Sequence, residues 1–261
     1  MTTFDRALDL VITHLDGRKR LLREETAASR EALEQLTRLP REIVKAGAPA
    51  TSVSTQSKQS RLNVLRETIL ATERDPRLAN VRQNLVFGVG NPDADLMFVG
   101  EAPGAEEDIQ GEPFVGPAGQ LLTKMIVAMG ISRQDVYIAN IVKFRPGMPQ
   151  GQSGNRKPTV DEMAASIPWL KEQIETIQPK VLVALGGTAL EGLSGKPQSI
   201  MKARGSWMSY NGIPLMPTFH PSYLLRNQSN TEKRKVWEDL LKVMEKLGLP
   251  ISEKQRGYFL R

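Results

Sequence analysis

Residues 96–104 read Leu-Met-Phe-Val-Gly-Glu-Ala-Pro-Gly, a short apolar run that ends in a turn carrying one carboxylate. An apolar run of this length, bounded by glycine and proline, is typical of a buried strand. Similar apolar runs occur at 136–141, 181–185 and 213–216. Helical spacing occupies about 117–129, 159–177 and 188–193, and a last helix is predicted over 231–247. This alternation predicts parallel βαβ units.

We therefore predict an α/β fold: three αβα layers with a central, mainly parallel four-stranded sheet, plus an N-terminal helical extension. The chain has 261 residues, of which 40% are hydrophobic and 25% charged, which is ordinary for a soluble globular protein. Helical spacing over 4–46 predicts an extension at residues 1–47, which either lies solvated or binds an unknown partner. Ser/Thr-rich residues 48–60 predict a flexible linker, and residues 61–261 the α/β domain, opening with a helix over 61–71.

The composition excludes several kinds of chemistry. There are no cysteines, which excludes disulfides, thiolate zinc sites and cysteine-ligated clusters. The only histidines are His14 and His220, so a multi-histidine metal site is not expected, and neither is a cofactor. No run reaches the roughly 18 apolar residues that a membrane helix needs, and no signal peptide is evident, so we expect cytoplasmic residence. The net charge of +6 is compatible with a polyanionic partner.

Polar residues follow each predicted strand. Glu101 follows the first strand, Asn140 ends the second, the turn Gly186-Gly187-Thr188 follows the third, and His220 follows the fourth. Ligands of parallel sheets bind outside the carboxyl ends of the strands, so these residues are expected to converge. The sequence therefore predicts a site at this edge of the sheet.

Each residue type suits a particular chemistry, with a structural alternative beside it. The carboxylate of Glu101 can orient a water or stabilise a cation, or it is only a surface group in a turn. The amide of Asn140 can read the edge of a heterocycle, or it only holds the strand end. A neutral His220 can donate to a carbonyl oxygen that gains negative charge, or it is a satisfied core residue. Its neighbours Pro221 and Ser222 favour the functional interpretation. His14 has no comparable neighbouring residues, so we interpret it as structural or exposed.

The loop at 111–119, GEPFVGPAG, precedes a predicted helix. The ring of Phe114 can serve as a stacking platform for a base, or it is a core phenylalanine. The helices beginning near Pro117 and Thr188 can each hold a phosphate with free backbone N–H groups.

Taken together, these residues resemble the uracil-DNA glycosylase superfamily, most closely its family 4, the iron–sulfur uracil-DNA glycosylases. The resemblance covers about residues 84–245. It rests on GEAPG at 100–104, the acidic residues at 106–108, GEPFVGPAGQLL at 111–122, YIANIVKFRP at 137–146, NRKP at 155–158 and HPSYLLR at 220–226.

The resemblance implies roles for the matching positions. Glu101 would position water or stabilise the sugar cation, and His220 would bond the departing uracil. Phe114 and Asn140 would stack on the base and read its pairing edge, with Ala102, Gly104 and Glu107 around them. DNA contacts would come from Gly187, Thr188, Ser222 and Arg226, and Leu224 would be the wedge that fills the opened duplex.

The implied activity is that of a monofunctional DNA glycosylase, acting as a monomer, which excises uracil and leaves an abasic site. The alternatives are a superfamily member that binds DNA without catalysis, or one that excises another deaminated base. A related branch crosslinks to DNA through a histidine in a basic loop; the corresponding loop here, 145–158, has no histidine, so turnover is expected.

One departure concerns the cluster. Family 4 members hold four irons with four cysteines; here the third position is Phe144, the fourth Ser166, and the early pair falls near 73–76. We expect apolar packing around Phe144, Trp169 and residues 61–78 to replace the cluster as a structural staple.

Overall fold

The computed structural model describes residues 57–71, 75–81 and 84–260. The predicted extension at 1–47, which includes His14, lies outside these residues, as does the predicted linker up to residue 56. The first described helix, α1, spans Lys58–Ala71. Residues 58–60, at the end of the stretch predicted as a linker, form the first turn of this helix.

The sheet and helices follow in chain order. The strands are β1 (Val89–Gly90), β2 (Leu96–Gly100), β3 (Tyr137–Asn140), β4 (Val181–Leu185), β5 (Met208–Tyr210) and β6 (Ile213–Thr218). After α1 the helices are α2 (Ala105–Gln110), α3 (Pro117–Ala128), α4 (Val160–Ile177), α5 (Gly187–Ser194), α6 (Ile200–Ala203), α7 (Pro221–Arg226), α8 (Asn230–Leu247) and α9 (Glu253–Arg256). A short 3₁₀ helix spans Pro76–Leu78. None of these helices is long and apolar enough to cross a membrane.

The described strands form one sheet in the order β1-β3-β2-β4-β6-β5. The four inner strands are parallel and are the four that the sequence predicts. The prediction of four strands was nevertheless wrong, because β1 and β5 add antiparallel edges beside β3 and β6. Both edge strands are only two or three residues long and only partly buried, so neither carries an apolar run of its own.

Alternation along β2 divides the core into two layers. Met97 and Val99 face one layer with residues of α1, α4 and α5, while Leu96 and Phe98 face the other with residues of α3 and α8. Successive side chains of a strand point to opposite faces, so a strand that is apolar throughout needs helices on both sides. All five residues of β2 are buried, which confirms the predicted three-layer arrangement.

The positions expected to replace the iron–sulfur cysteines lie in the first of these layers. Phe144 is 2% exposed and meets the ring of Trp169 edge-on, with 6.0 Å between centroids. Leu62 of α1 and Leu78 of the 3₁₀ helix belong to the same core cluster. These contacts agree with the apolar packing that the sequence analysis expects there.

Candidate active site

A cavity of about 400 Å³ opens at the carboxyl ends of the parallel strands. Ten of the twelve residues that the sequence analysis assigns to the site line it. They are Glu101, Ala102, Gly104, Glu107, Phe114, Asn140, Gly187, His220, Ser222 and Arg226. Parallel topology explains the convergence, because each inner strand delivers its next residues to the same edge.

Asn140 supplies a buried hydrogen-bond acceptor to this cavity. It ends β3, its side chain is 2% exposed, and its Oδ1 has no hydrogen-bond partner among the described residues. Its backbone carbonyl is held by the buried Nζ of Lys143 at 2.9 Å. An unpaired buried acceptor costs free energy, so an N–H donor on a ligand would restore the lost hydrogen bond.

Gly100 lets the side chains of Phe114 and Asn140 approach the end of β2. A Cβ at Gly100 would lie 2.4 Å from Asn140 Oδ1 and 2.5 Å from Phe114 Cζ. No real side chain tolerates such contacts, so glycine is required for both groups to line one wall. Glu101, the next residue, also lines the cavity.

Phe114 is held in a left-handed backbone conformation, with φ of 57°. A left-handed backbone conformation is uncommon for a bulky residue, and it persists only where contacts with surrounding residues hold it in place. The carboxylate of Glu107 does so, because Oε1 accepts from the N–H groups of Val115 at 3.0 Å and Gly116 at 2.9 Å. Its Oε2 accepts from Gly104 N at 3.0 Å and so joins this loop to the turn after β2.

Replacement of Glu107 by glutamine is expected to lower kcat/KM for the cavity's substrate about 10-fold, the scale of one lost hydrogen bond to a charged group. The amide can accept at only one end, so an NH₂ group would face a backbone N–H. Glu106→Gln is the matched control, because Glu106 is exposed and no hydrogen bond of its side chain occurs among the described residues. Equal kcat/KM values for the two variants would contradict this account.

His220 precedes α7 and caps it. Its Nδ1 accepts from Ser222 N at 3.1 Å and lies 2.8 Å from Ser222 Oγ. Because Nδ1 accepts a backbone N–H, a neutral imidazole carries its proton on Nε2. The ring lies 5.5 Å from that of Phe114, centroid to centroid, with 32° between the planes.

Burial, followed by the charge of Arg226, lowers the pKa of His220 from its ordinary 6.5 to about 4, against a smaller opposing effect of Glu107. The imidazole is therefore neutral at physiological pH. It can donate a hydrogen bond without carrying a positive charge.

This pKa shift predicts a loss of stability in acid. His220 takes up a proton below about pH 6.5 in the unfolded chain but only near pH 4 in the folded chain. Its contribution to the free energy of unfolding is therefore fully present above pH 6.5 and is lost as the pH falls from 6.5 to 4. Denaturant unfolding at steps from pH 7 to 4 measures it. The free energy of unfolding should fall more steeply for the wild type than for His220→Asn, and parallel curves would contradict the shift.

Two of the assigned residues lie elsewhere. Leu224, which the resemblance implies as the wedge that fills the opened duplex, is 5% exposed and packs in the core layer of α3 and α8. Leu225, about 100° further round α7, is 39% exposed. Thr188 is 7% exposed within α5 and does not line the cavity.

The cavity also has a basic wall, built from the NRKP stretch at 155–158. Asn155, Arg156 and Lys157 line it from the loop between β3 and α4. Arg156 pairs with Glu162 at 2.5 Å, and Lys157 pairs with Glu191 at 2.6 Å. The sequence feature that could have indicated this wall is its charge, because residues 136–160 contain four Lys or Arg and no Asp or Glu.

The residues at the expected cluster positions do not fit four irons. The whole chain lacks cysteine, Phe144 offers only a ring, and Ser166 Oγ is buried without a hydrogen-bond partner among the described residues. Nor do the described residues contain a group of three or more acidic or histidine side chains placed to hold a metal ion. No step at this site is therefore derived through an iron–sulfur cluster.

Known proteins are similar to much of this chain. The type-4 uracil-DNA glycosylase of Thermotoga maritima is 52% identical over 163 residues, covering 62% of this chain and 82% of the relative. That of Saccharolobus solfataricus is 42% identical over 181 residues, covering 66% and 80%. That of Sulfurisphaera tokodaii is 38% identical over 208 residues, covering 76% and 90%.

The family comparison spans the fold as well as the site. The family described as the uracil DNA glycosylase superfamily matches residues 87–241, which runs from just before β1 into α8. This range contains every residue named above as lining the cavity. The chain belongs to the uracil-DNA glycosylase superfamily.

Proposed function

We propose that this protein is a monofunctional uracil-DNA glycosylase, which hydrolyses the N-glycosidic bond of uracil in DNA and leaves an abasic site. The observation that carries the proposal is one cavity in which an unpaired amide acceptor, an aromatic ring and a neutral imidazole donor lie together. The named relatives act on the same lesion and support it.

Recognition would use Asn140 and Phe114. Uracil has an N–H at position 3 between two carbonyl groups, and the free Oδ1 of Asn140 can accept from that N–H. The ring of Phe114 offers a face on which the extruded base can stack. Because Glu107 fixes the Phe114 loop before any base arrives, little ordering is left to be done on binding.

Cleavage would use Glu101 and His220. As the bond from C1′ to N1 breaks, its electron pair leaves with uracil and positive charge develops on the sugar. The Nε2–H of His220 donates to uracil O2 as that oxygen becomes negative. The Glu101 carboxylate stabilises the sugar, orients the water that adds to C1′ and accepts the proton that this water loses. Both interactions strengthen toward the transition state, which is the requirement for catalysis.

Access to the base requires extrusion from the duplex, which costs a few kcal/mol. Arg226 and Ser222, on the helix that begins after His220, and Gly187 line the cavity, and they would contact the DNA phosphates. Leu225 is the exposed leucine of that helix, and its side chain would fill the gap in the duplex. The protein would act as a monomer, without a bound metal or cluster, and would release its product.

The test is cleavage of a labelled oligonucleotide with one uracil, single-stranded and opposite guanine or adenine, in the presence of a chelator. Alkali-labile scission with uracil, but not with thymine or hypoxanthine at the same position, would support the proposal. Tight binding without scission would show a DNA-binding protein instead. Scission only with hypoxanthine or xanthine would show a glycosylase of different specificity.

A further inference from the structure

A second, polar groove adjoins the catalytic cavity. Its volume is about 840 Å³, and residues 79–81 and 145–154 form most of its walls. Arg156 lines both spaces, so the groove and the cavity meet at this residue. A DNA strand that leaves the cavity on the side of Arg156 would enter the groove first.

The groove is held open by its own backbone contacts. Gly147 N donates to Asn80 O at 2.7 Å, and Val81 pairs with Pro146 as an isolated bridge. Arg156 Nε in turn donates to Gly147 O at 2.7 Å. These contacts join residues 80–81 to residues 146–147, so the groove exists before a ligand binds.

Among the described residues that line the groove, one positive charge lacks an acidic partner. Arg156 is neutralised by Glu162. Arg145 has no carboxylate partner among the described residues; its Nη2 donates to Gly154 O at 2.8 Å and its Nε to Asn155 Oδ1 at 3.3 Å. Two of the five N–H groups of its guanidinium are thus used, and three remain for a ligand.

Asn155 joins the two spaces. It lines the catalytic cavity, and its Nδ2 lies 3.4 Å from the place a Cβ would take on Gly104. Since its Oδ1 accepts from Arg145, a ligand on Arg145 sits one side chain away from the turn that follows Glu101. Binding of the DNA strand in the groove would therefore fix the position of that strand relative to the cavity.

The chemistry that fits is a phosphodiester. A half-buried guanidinium with free N–H groups suits the two non-bridging oxygens of a phosphate, and no acidic residue lines the groove among those described. We propose that this groove binds the DNA backbone next to the extruded nucleotide, with a phosphate on Arg145. The inference rests on the proposed function for its substrate but concerns a surface outside the catalytic cavity.

The test compares Arg145→Gln with Lys180→Gln in the full-length protein. Lys180 precedes β4, at the sheet edge opposite the cavity, and its exposed pair with Asp95 is a surface contact, so this control removes the same charge far from the groove. The probe is a labelled single-stranded oligonucleotide with a central uracil. Its Kd is measured from low to moderate salt, and its cleavage is followed in the same samples.

For Arg145→Gln we expect a Kd about 5- to 10-fold weaker at low salt and a slope of log Kd against log salt smaller by about 0.7, the value for one phosphate on a single strand. KM should rise more than kcat falls. Lys180→Gln should match the wild type. Identical slopes and Kd values for the two variants would overturn the proposal.

The two proposals fail in distinguishable ways. If the wild type binds the oligonucleotide but does not cleave it, the proposed function fails, and the salt slopes still decide whether the groove binds phosphate. If the wild type cleaves and Arg145→Gln binds like the control, the groove proposal fails alone.

Discussion

His220→Ala is expected to lower kcat on uracil-containing DNA by about 100- to 1,000-fold, the scale of one lost donor to a developing anion. The structure gives the reason, since Ser222 N occupies Nδ1 and leaves Nε2 as the donor toward the cavity. With a pKa of about 4 the ring is neutral in the assay, so the loss should be equal at pH 6 and pH 8. Single-turnover cleavage measures the chemical step directly.

His220→Asn provides the matched control for folding. Alanine removes the cap of α7 as well as the donor, and loss of a cap typically costs about 1 kcal/mol of stability. Asparagine retains a capping acceptor for Ser222 N but carries no imidazole. We expect a thermal midpoint near that of the wild type with the same loss of rate. A loss of rate below 10-fold in both variants would remove His220 from the mechanism.

Gly100→Ala is expected to lower kcat/KM for uracil excision by at least about 100-fold, although it adds only one methyl group. That methyl would lie 2.4 Å from Asn140 Oδ1 and 2.5 Å from Phe114 Cζ, so one of the two groups that would hold the base must move. Misplacement of a positioning group by about 1 Å commonly costs 100-fold in rate. Cleavage at subsaturating DNA measures the loss.

Overpacking is also expected to cost Gly100→Ala about 1–3 kcal/mol of stability, so the thermal midpoint has to be read alongside the rate. Gly257→Ala is the matched control, because φ there is −82° and the nearest atom to a new Cβ is 3.5 Å away. It should retain the rate and midpoint of the wild type. A folded Gly100→Ala variant with wild-type kcat/KM would show that the wall of the cavity can relax.

No cysteine-ligated cluster can form in this chain, because its sequence contains no cysteine. Apolar packing surrounds Phe144, which stands at the expected third cluster position. It consists of the edge-on contact of Phe144 with Trp169 and of the buried side chains of Leu62 and Leu78. In this protein the region is core packing, and it is separate from the cavity that holds Glu101 and His220.

The sequence by itself determined the four inner strands and the residues that follow them. Val181–Leu185 is apolar throughout and bounded by turn residues, so its limits were predicted in full. Once four such strands are parallel, topology alone brings Glu101, Asn140 and His220 to one edge. These inferences succeed because burial on both faces and strand direction are properties of local pattern.

Tertiary structure alone decided the rest. The carboxylate of Glu107 bonds the N–H groups of residues eight and nine positions away, a pairing that no local pattern specifies. The strand Met208–Tyr210 forms because β6 offers an open edge, and its own sequence carries little signal. Leu224 and Leu225 are chemically identical, and only the packing of α7 against α3 and α8 buries the first and exposes the second. Each of these outcomes depends on what lies across the fold, because side-chain hydrogen bonds and helix faces are fixed by partners distant in sequence.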